Sequence, residues 1–156
     1  MNLTTEQLAL PRYLAPDTDP VVTAALDLYE EILPEHNWRT PHNRRALTLY
    51  KFSGSVPFIT RRDDAVVALA NVDLATQRMK GSAFLEALVV HESVRGENVG
   101  RFTIEQIVKA AAEHELETLR ARPLESAIGF YAKLGFVCDE IEPVNPAEPF
   151  MSLRLA

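Results

Sequence analysis

Residues 92–100, "ESVRGENVG", hold the densest group of residues that could do chemistry: Arg95 flanked by Gly96 and, five positions on, Gly100. They stand between an apolar run, "LEALVV", and an amphipathic stretch, "RFTIEQIVKAAAEH". Where a strand turns into a helix, the unpaired first-turn N–H groups and the helix dipole together favour an anion. Glycine lets the main chain approach a ligand closely, and Arg95 would add a charge-assisted donor. By itself, though, such a turn is more often plain structure.

Other groups carry weaker signals. Glu86 is a lone carboxylate in "AFLEALVV", where burial would raise its pKa toward the range of a general base. Strict alternation puts it on the face of Leu88 and Val90. His91, just past the strand, is a rival base by position, with solvent as its expected surrounding. His36, Trp38 and His42 cluster in a polar loop and read either as substrate recognition or as a loop anchor. Asp139, Glu140, Glu142 and Glu148 form an acidic rim, solvated or attractive to a cation. Cys138 has no base beside it and reads as a core thiol. The spaced histidines lack a carboxylate pattern, so no metal site is expected.

The elements that must position these residues follow from periodicity. "QLALPRYL" reads as a first strand, confined to a sheet edge by Pro11. Asp19 and Pro20 then start a helix as N-cap and first residue, with Val22, Ala25, Leu26 and Tyr29 on one face. "PEHNWRTPHN" is a loop, and "NRRALTLYKF" a second helix. "VPFITRRDDAVVALANVDLA" is a hairpin turning near Asp63 and Asp64, and "AFLEALVV" a central strand. Ile104, Ile107, Val108 and Ala111 recur with a helical period. "LETLRAR" is a strand, and "LESAIGFYAKLGF" a short helix with Ala127, Phe130 and Leu134 on one face, stopped by Gly135. "FVCDEI" and "FMSLRL" close the order across a proline-rich loop. The sum is a mixed α/β (α+β) fold in one domain, residues 1–156: a mostly antiparallel twisted sheet of about six to seven strands with about four flanking helices.

Composition sets the outer bounds. A chain of 156 residues suits a single core, and 47% hydrophobic with 24% charged residues is ordinary for a globular protein. A net charge of −6 argues against general affinity for nucleic acid or an anionic membrane. A single cysteine excludes an intramolecular disulfide, and there is neither a secretory-type leader nor a run of about eighteen apolar residues. A cytoplasmic protein is the expectation.

Two segments resemble a known family. "LVVHESVRGENVGRFTI" is similar to the acyl-CoA-binding segment of the GNAT superfamily of N-acetyltransferases, R/Q-x-x-G-x-G/A. Arg95 matches its first position and Gly100 its last, while Asn98 replaces the usual middle glycine. Asparagine is among the few other residues that tolerate positive φ. "ESAIGFYAKLGF" resembles the later motif A-x-x-F/L-Y-x-K-L-G-F through Ala127, Phe130, Tyr131, Lys133, Leu134, Gly135 and Phe136. Leu124 stands where that motif often has asparagine.

The resemblance implies acetyl-CoA as cosubstrate, with no metal. The fourth strand would splay from the fifth, and the pantetheine arm would lie against the backbone of the Leu88, Val89, Val90 segment. The pyrophosphate would rest on the N–H groups of Gly96, Glu97, Asn98, Val99, Gly100 and Arg101, so substituting the Glu97 side chain should change little. The implied reaction is direct attack of a primary amine, on a small molecule or a protein, in a ternary complex. Tyr131 would protonate the departing sulfur or only pack on the cofactor. Glu86 or a water chain would take the amine's proton. The alternative is a non-catalytic acyl-CoA-binding sensor or interaction module. Edge strands leave a homodimer open.

Overall fold

A computed structural model describes residues 2–7, 20–32, 55–74, 80–139 and 149–155. In chain order the elements are β1 (Leu3–Gln7), α1 (Pro20–Ile32), β2 (Ser55–Arg62), β3 (Ala65–Asp73), β4 (Ser82–Val90), α2 (Val99–Glu113), β5 (Thr118–Ala121), α3 (Ile128–Lys133), β6 (Val137–Cys138) and β7 (Met151–Arg154). Short 3-10 turns at Glu92–Val94 and Glu125–Ala127 lead into α2 and α3. Among the described residues the sheet has seven strands in the order β1-β2-β3-β4-β5-β7-β6. Every pairing is antiparallel except β4 with β5. The expected mixed, mostly antiparallel sheet is therefore the observed one. Three α-helices fall among the described residues; the helix expected over "NRRALTLYKF" lies outside them.

Helix α1 begins at Pro20, whose missing N–H costs nothing in a first turn. Its contact face is Val21, Ala25, Leu28 and Ile32, which pack on Ile59, Leu69 and Val89. Of the face expected from sequence, Ala25 is buried; the Val22, Leu26 and Tyr29 side chains lie outside the described ones. A strand not expected from sequence runs Leu3–Gln7, paired with β2 from Leu3↔Arg62 to Gln7↔Phe58, while the expected one, "QLALPRYL", lies outside the described residues beyond Gln7. The two threonines of Leu3–Gln7 suit a pleated edge, and cross-strand pairing outweighs the polarity that hid it.

Alternation distributes the core over two layers. Phe58, Ala70, Val72, Ala83, Leu85 and Leu119 pack with Ile104, Ile107 and Ala111 of α2, together with Tyr131 and Phe136. Their strand neighbours Ile59, Leu69 and Val89 turn the other way, toward α1. The sheet is thus sandwiched, α1 on one face and α2 with α3 on the other.

Strand β4 breaks this alternation once. Asn71 pairs with Ala87 and Val72 with Leu85, so Glu86 is a bulge residue with no opposite number in β3. Leu85 and Leu88 consequently share the α2 face although an odd number of positions separates them. Glu86 stands at the break itself, so the period of two that the sequence expectation used to put it on the face of Leu88 and Val90 does not run through this position.

The expectation that Cys138 is a core thiol is corrected, since it is exposed. It lies on β6, two residues long and the outermost strand among the described residues.

Candidate active site

Strand β4 supplies the first half of the site. Its parallel pairing to β5 runs from Ser82↔Thr118 to Leu85↔Ala121 and stops there. Among the described residues Glu86–Val90 continue beside β3 alone, so their other edge is open there. The direction of the backbone groups on this stretch follows from one bond: the His91 N–H donates to the Val67 carbonyl at 2.8 Å, toward β3. Strand alternation then turns Ala87 and Val89 toward β3, and leaves the N–H and C=O of Leu88 and Val90 on the open side. Val89 is buried against α1. Of that predicted trio, Leu88 has both backbone groups on the open side and Val90 its N–H, the Val90 carbonyl accepting from Arg95 Nε.

The second half is the turn into α2. Gly96 has φ +84° and Asn98 has φ 64°, ψ 17°, both in the left-handed region. Asn98 therefore adopts the conformation for which the family's motif uses glycine. As N-cap it makes no side-chain capping bond, although asparagine is a favoured capping residue. Within the turn, Glu97 N–H donates to Val94 O and Phe102 N–H to Asn98 O. The N–H groups of Gly96, Asn98, Val99, Gly100 and Arg101 have no backbone acceptor among the described residues. Such converging donors at a helix start form an anion cradle.

Gly100 has a different task from the two left-handed positions. A Cβ there would come within 3.0 Å of Phe130 Cζ and 3.5 Å of Val90 Cγ2. The glycine lets the Phe130 ring lie on the first turn of α2, at the mouth of the open edge. This contact joins the two sequence motifs. Phe130 meets Tyr131 edge-on at 5.1 Å, and Tyr131 meets Phe136 edge-on at 5.2 Å. Burial of Tyr131 pushes its phenol well above its usual pKa, since the phenolate would lose solvation. It is held as the neutral, proton-bearing form.

The remaining side chains sort by contact. Arg95 Nε donates to the Val90 carbonyl at 3.3 Å, which ties the turn back to the end of β4. Glu97 is bridged by Arg62 Nη2 at 3.1 Å, so its side chain, expected to be inconsequential, is a link between the β2–β3 hairpin and the cradle. Arg101 pairs with Glu105 one turn on, at 3.1 Å. Glu86 is half-buried, with its Oε2 atom shut off from solvent. His91 is a cap: Ser93 N–H and Oγ–H donate to its Nδ1 at 3.1 and 2.7 Å. That places the proton of the neutral ring on Nε2, 4.0 Å from the Glu31 carboxylate, and leaves no lone pair for an incoming amine.

Asp139 is held by Arg120. His36, Trp38, His42, Glu140, Glu142 and Glu148 lie outside the described residues. Leu124, at the departure from the later motif, is an exposed apolar side chain. Among the described residues no group of His, Cys, Asp and Glu is assembled to hold a metal, and no helix is long and apolar enough to cross a membrane.

Comparison with known proteins decides the family. The profile described as Acetyltransferase (GNAT) family matches residues 22–136, most of the chain. The chain belongs to the GNAT family. An uncharacterized N-acetyltransferase, ycf52, of Porphyra purpurea is 24% identical over 119 residues, covering 75% of this chain and 68% of that protein. An aminoglycoside 6'-N-acetyltransferase solved with coenzyme A shares the fold at TM-score 0.76 and 16% identity, over 98% of this GNAT chain and 97% of that one. The PaiA N-acetyltransferase of Thermoplasma acidophilum, also solved with coenzyme A, does so at TM-score 0.68 and 10% identity, over 99% of both chains.

Proposed function

We propose that this GNAT protein is an acetyl-CoA-dependent N-acetyltransferase that moves the acetyl group to a primary amine by direct attack in a ternary complex. The observation that carries the reading is Asn98 in the left-handed region at the start of α2. It keeps the cradle's N–H groups converging in spite of the missing glycine. The residues fit the cosubstrate. The pyrophosphate would take the N–H groups of Gly96, Asn98, Val99, Gly100 and Arg101, and the pantetheine amides would take the backbone of Leu88 and the Val90 N–H.

Bound acetyl-CoA supplies an activated acyl group on a sulfur that must leave. Tyr131, held neutral by burial, gives its proton to that sulfur as the carbon–sulfur bond breaks. The incoming amine must first lose a proton, and Glu86 takes it directly or through water. The bulge supports this role, since it sets a half-buried carboxylate at the point where β4 leaves β5.

A thermal-shift titration with acetyl-CoA, CoA and ATP tests the cosubstrate. Saturation at about a hundred times the dissociation constant should add about 2.7 kcal/mol with the CoA species. A flat response to both CoA species sinks the reading. Thiol release with a panel of primary amines then tests catalysis; binding without release points to a sensor module. Tyr131→Phe should keep CoA affinity and lose turnover.

A further inference from the structure

Three threonine hydroxyls form a chain from the sheet edge to the cradle. Thr5 Oγ1 lies 2.7 Å from Thr60 Oγ1, Thr60 Oγ1 lies 2.6 Å from Thr103 Oγ1, and Thr103 Oγ1 donates to the Val99 carbonyl at 2.9 Å. Thr60 and Thr103 are fully buried in an otherwise apolar layer. The direction of the chain is forced. A carbonyl only accepts, so the single hydroxyl proton of Thr103 is committed to Val99. Thr60 must then donate to Thr103, and Thr5 to Thr60.

The terminus of this chain is the peptide unit whose N–H belongs to Gly100. Its carbonyl, on Val99, already accepts the helical N–H of Thr103 and takes the Thr103 hydroxyl as a second donor. Each added donor on a carbonyl polarises its peptide, and hydrogen bonds in series strengthen one another in a low-dielectric interior. The Gly100 N–H is one of the cradle donors without a backbone acceptor among the described residues.

We infer that Thr103, backed by Thr60 and Thr5, is a positioning residue that orients and polarises the Val99–Gly100 peptide for the anion of the coenzyme. This rests on the acetyl-CoA reading above. A helix core position needs no hydroxyl for packing, and valine would fill the same space.

Thr103→Val tests it, with CoA titrated against the folded protein and the Gly100 amide proton followed by NMR in the free protein. CoA binding should weaken by about three- to tenfold, the range of one hydrogen bond. The Gly100 amide should move upfield, and Thr103→Ser should restore both. Thr60→Val and Thr5→Val should give successively smaller changes of the same sign, and they carry the test if Thr103→Val does not fold. A folded Thr103→Val variant with unchanged CoA binding and an unmoved Gly100 amide overturns the inference. A wild-type chain that binds no CoA overturns the coenzyme reading instead, and the amide shift then decides the polarisation alone.

Discussion

The two halves of β4 are built from the same kind of residue and do different work. Ser82–Leu85 is paired with β5 throughout and also with β3 at Phe84 and Leu85, with every side chain buried. Glu86–Val90 keeps β3 but has lost β5, and its side chains, Val89 apart, are only half-buried. The bulge at Glu86 marks the boundary. Up to that point the strand is core; beyond it, the same apolar sequence becomes an edge with backbone groups to offer.

Proline substitution should break this contrast most strongly. Leu85→Pro removes a donor and a core side chain from a strand paired on both sides, at a cost of about 3 kcal/mol or more. Urea denaturation should find it largely unfolded. Leu88→Pro removes an N–H from the open side alone. It should stay folded, with a smaller loss of stability, and lose CoA affinity at least about tenfold, the worth of one hydrogen bond at the upper end of its range. Equal destabilisation by the two would erase the distinction.

Gly100 lines the open half beside Val90 and Phe130. Gly100→Ala should cost about 1–3 kcal/mol through the overpacked Phe130 ring. Phe130→Leu in that background should recover part of the loss in the same denaturation assay.

Phe130 lies by the open half, whereas Tyr131 is buried in the same cluster as Leu85 of the closed half. The Tyr131 phenol is raised in the fold, so above its ordinary value of 10.0 only the unfolded chain loses that proton. The unfolded state then binds fewer protons, and stability falls as pH rises, by up to about 1.4 kcal/mol per pH unit. Below that pH the contribution is fully present. Tyr131→Phe should flatten this alkaline slope in melts run across the transition.

The smallest effect belongs to Asn98. Asn98→Ala should cost about 1 kcal/mol, since alanine resists the left-handed region, whereas Asn98→Gly should stay within about 0.5 kcal/mol of wild type. A tolerant alanine variant would show that the cradle does not depend on that backbone shape.

Much of this site was legible in the chain. Arg95, Gly100 and the run from Phe130 to Phe136 named the family, and the change of period at Val99 placed the helix start. Glu86 was legible as an odd carboxylate but not as a bulge residue, because a bulge is created by the partner strand's register. His91 was readable as a polar residue past a strand, yet its cap depends on Ser93 folding back onto its ring. Thr60 and Thr103 stand far apart in sequence, and neither forms a motif. A threonine on the inner face of α2 was the one signal available, and it had no visible partner.

Sequence by itself therefore determined the order of the described elements from α1 onward, the mixed sheet and the two motifs, since these rest on local periodicity and on residues with restricted backbone preferences. It also supplied an asparagine able to take positive φ. Tertiary structure decided the rest: which edge of β4 leaves β5, that Glu86 sits at a bulge, and why Gly100 must lack a side chain. It also decided which hydroxyl proton goes where. Those properties belong to pairs of residues brought together from distant parts of the chain, and no spacing along one segment encodes them.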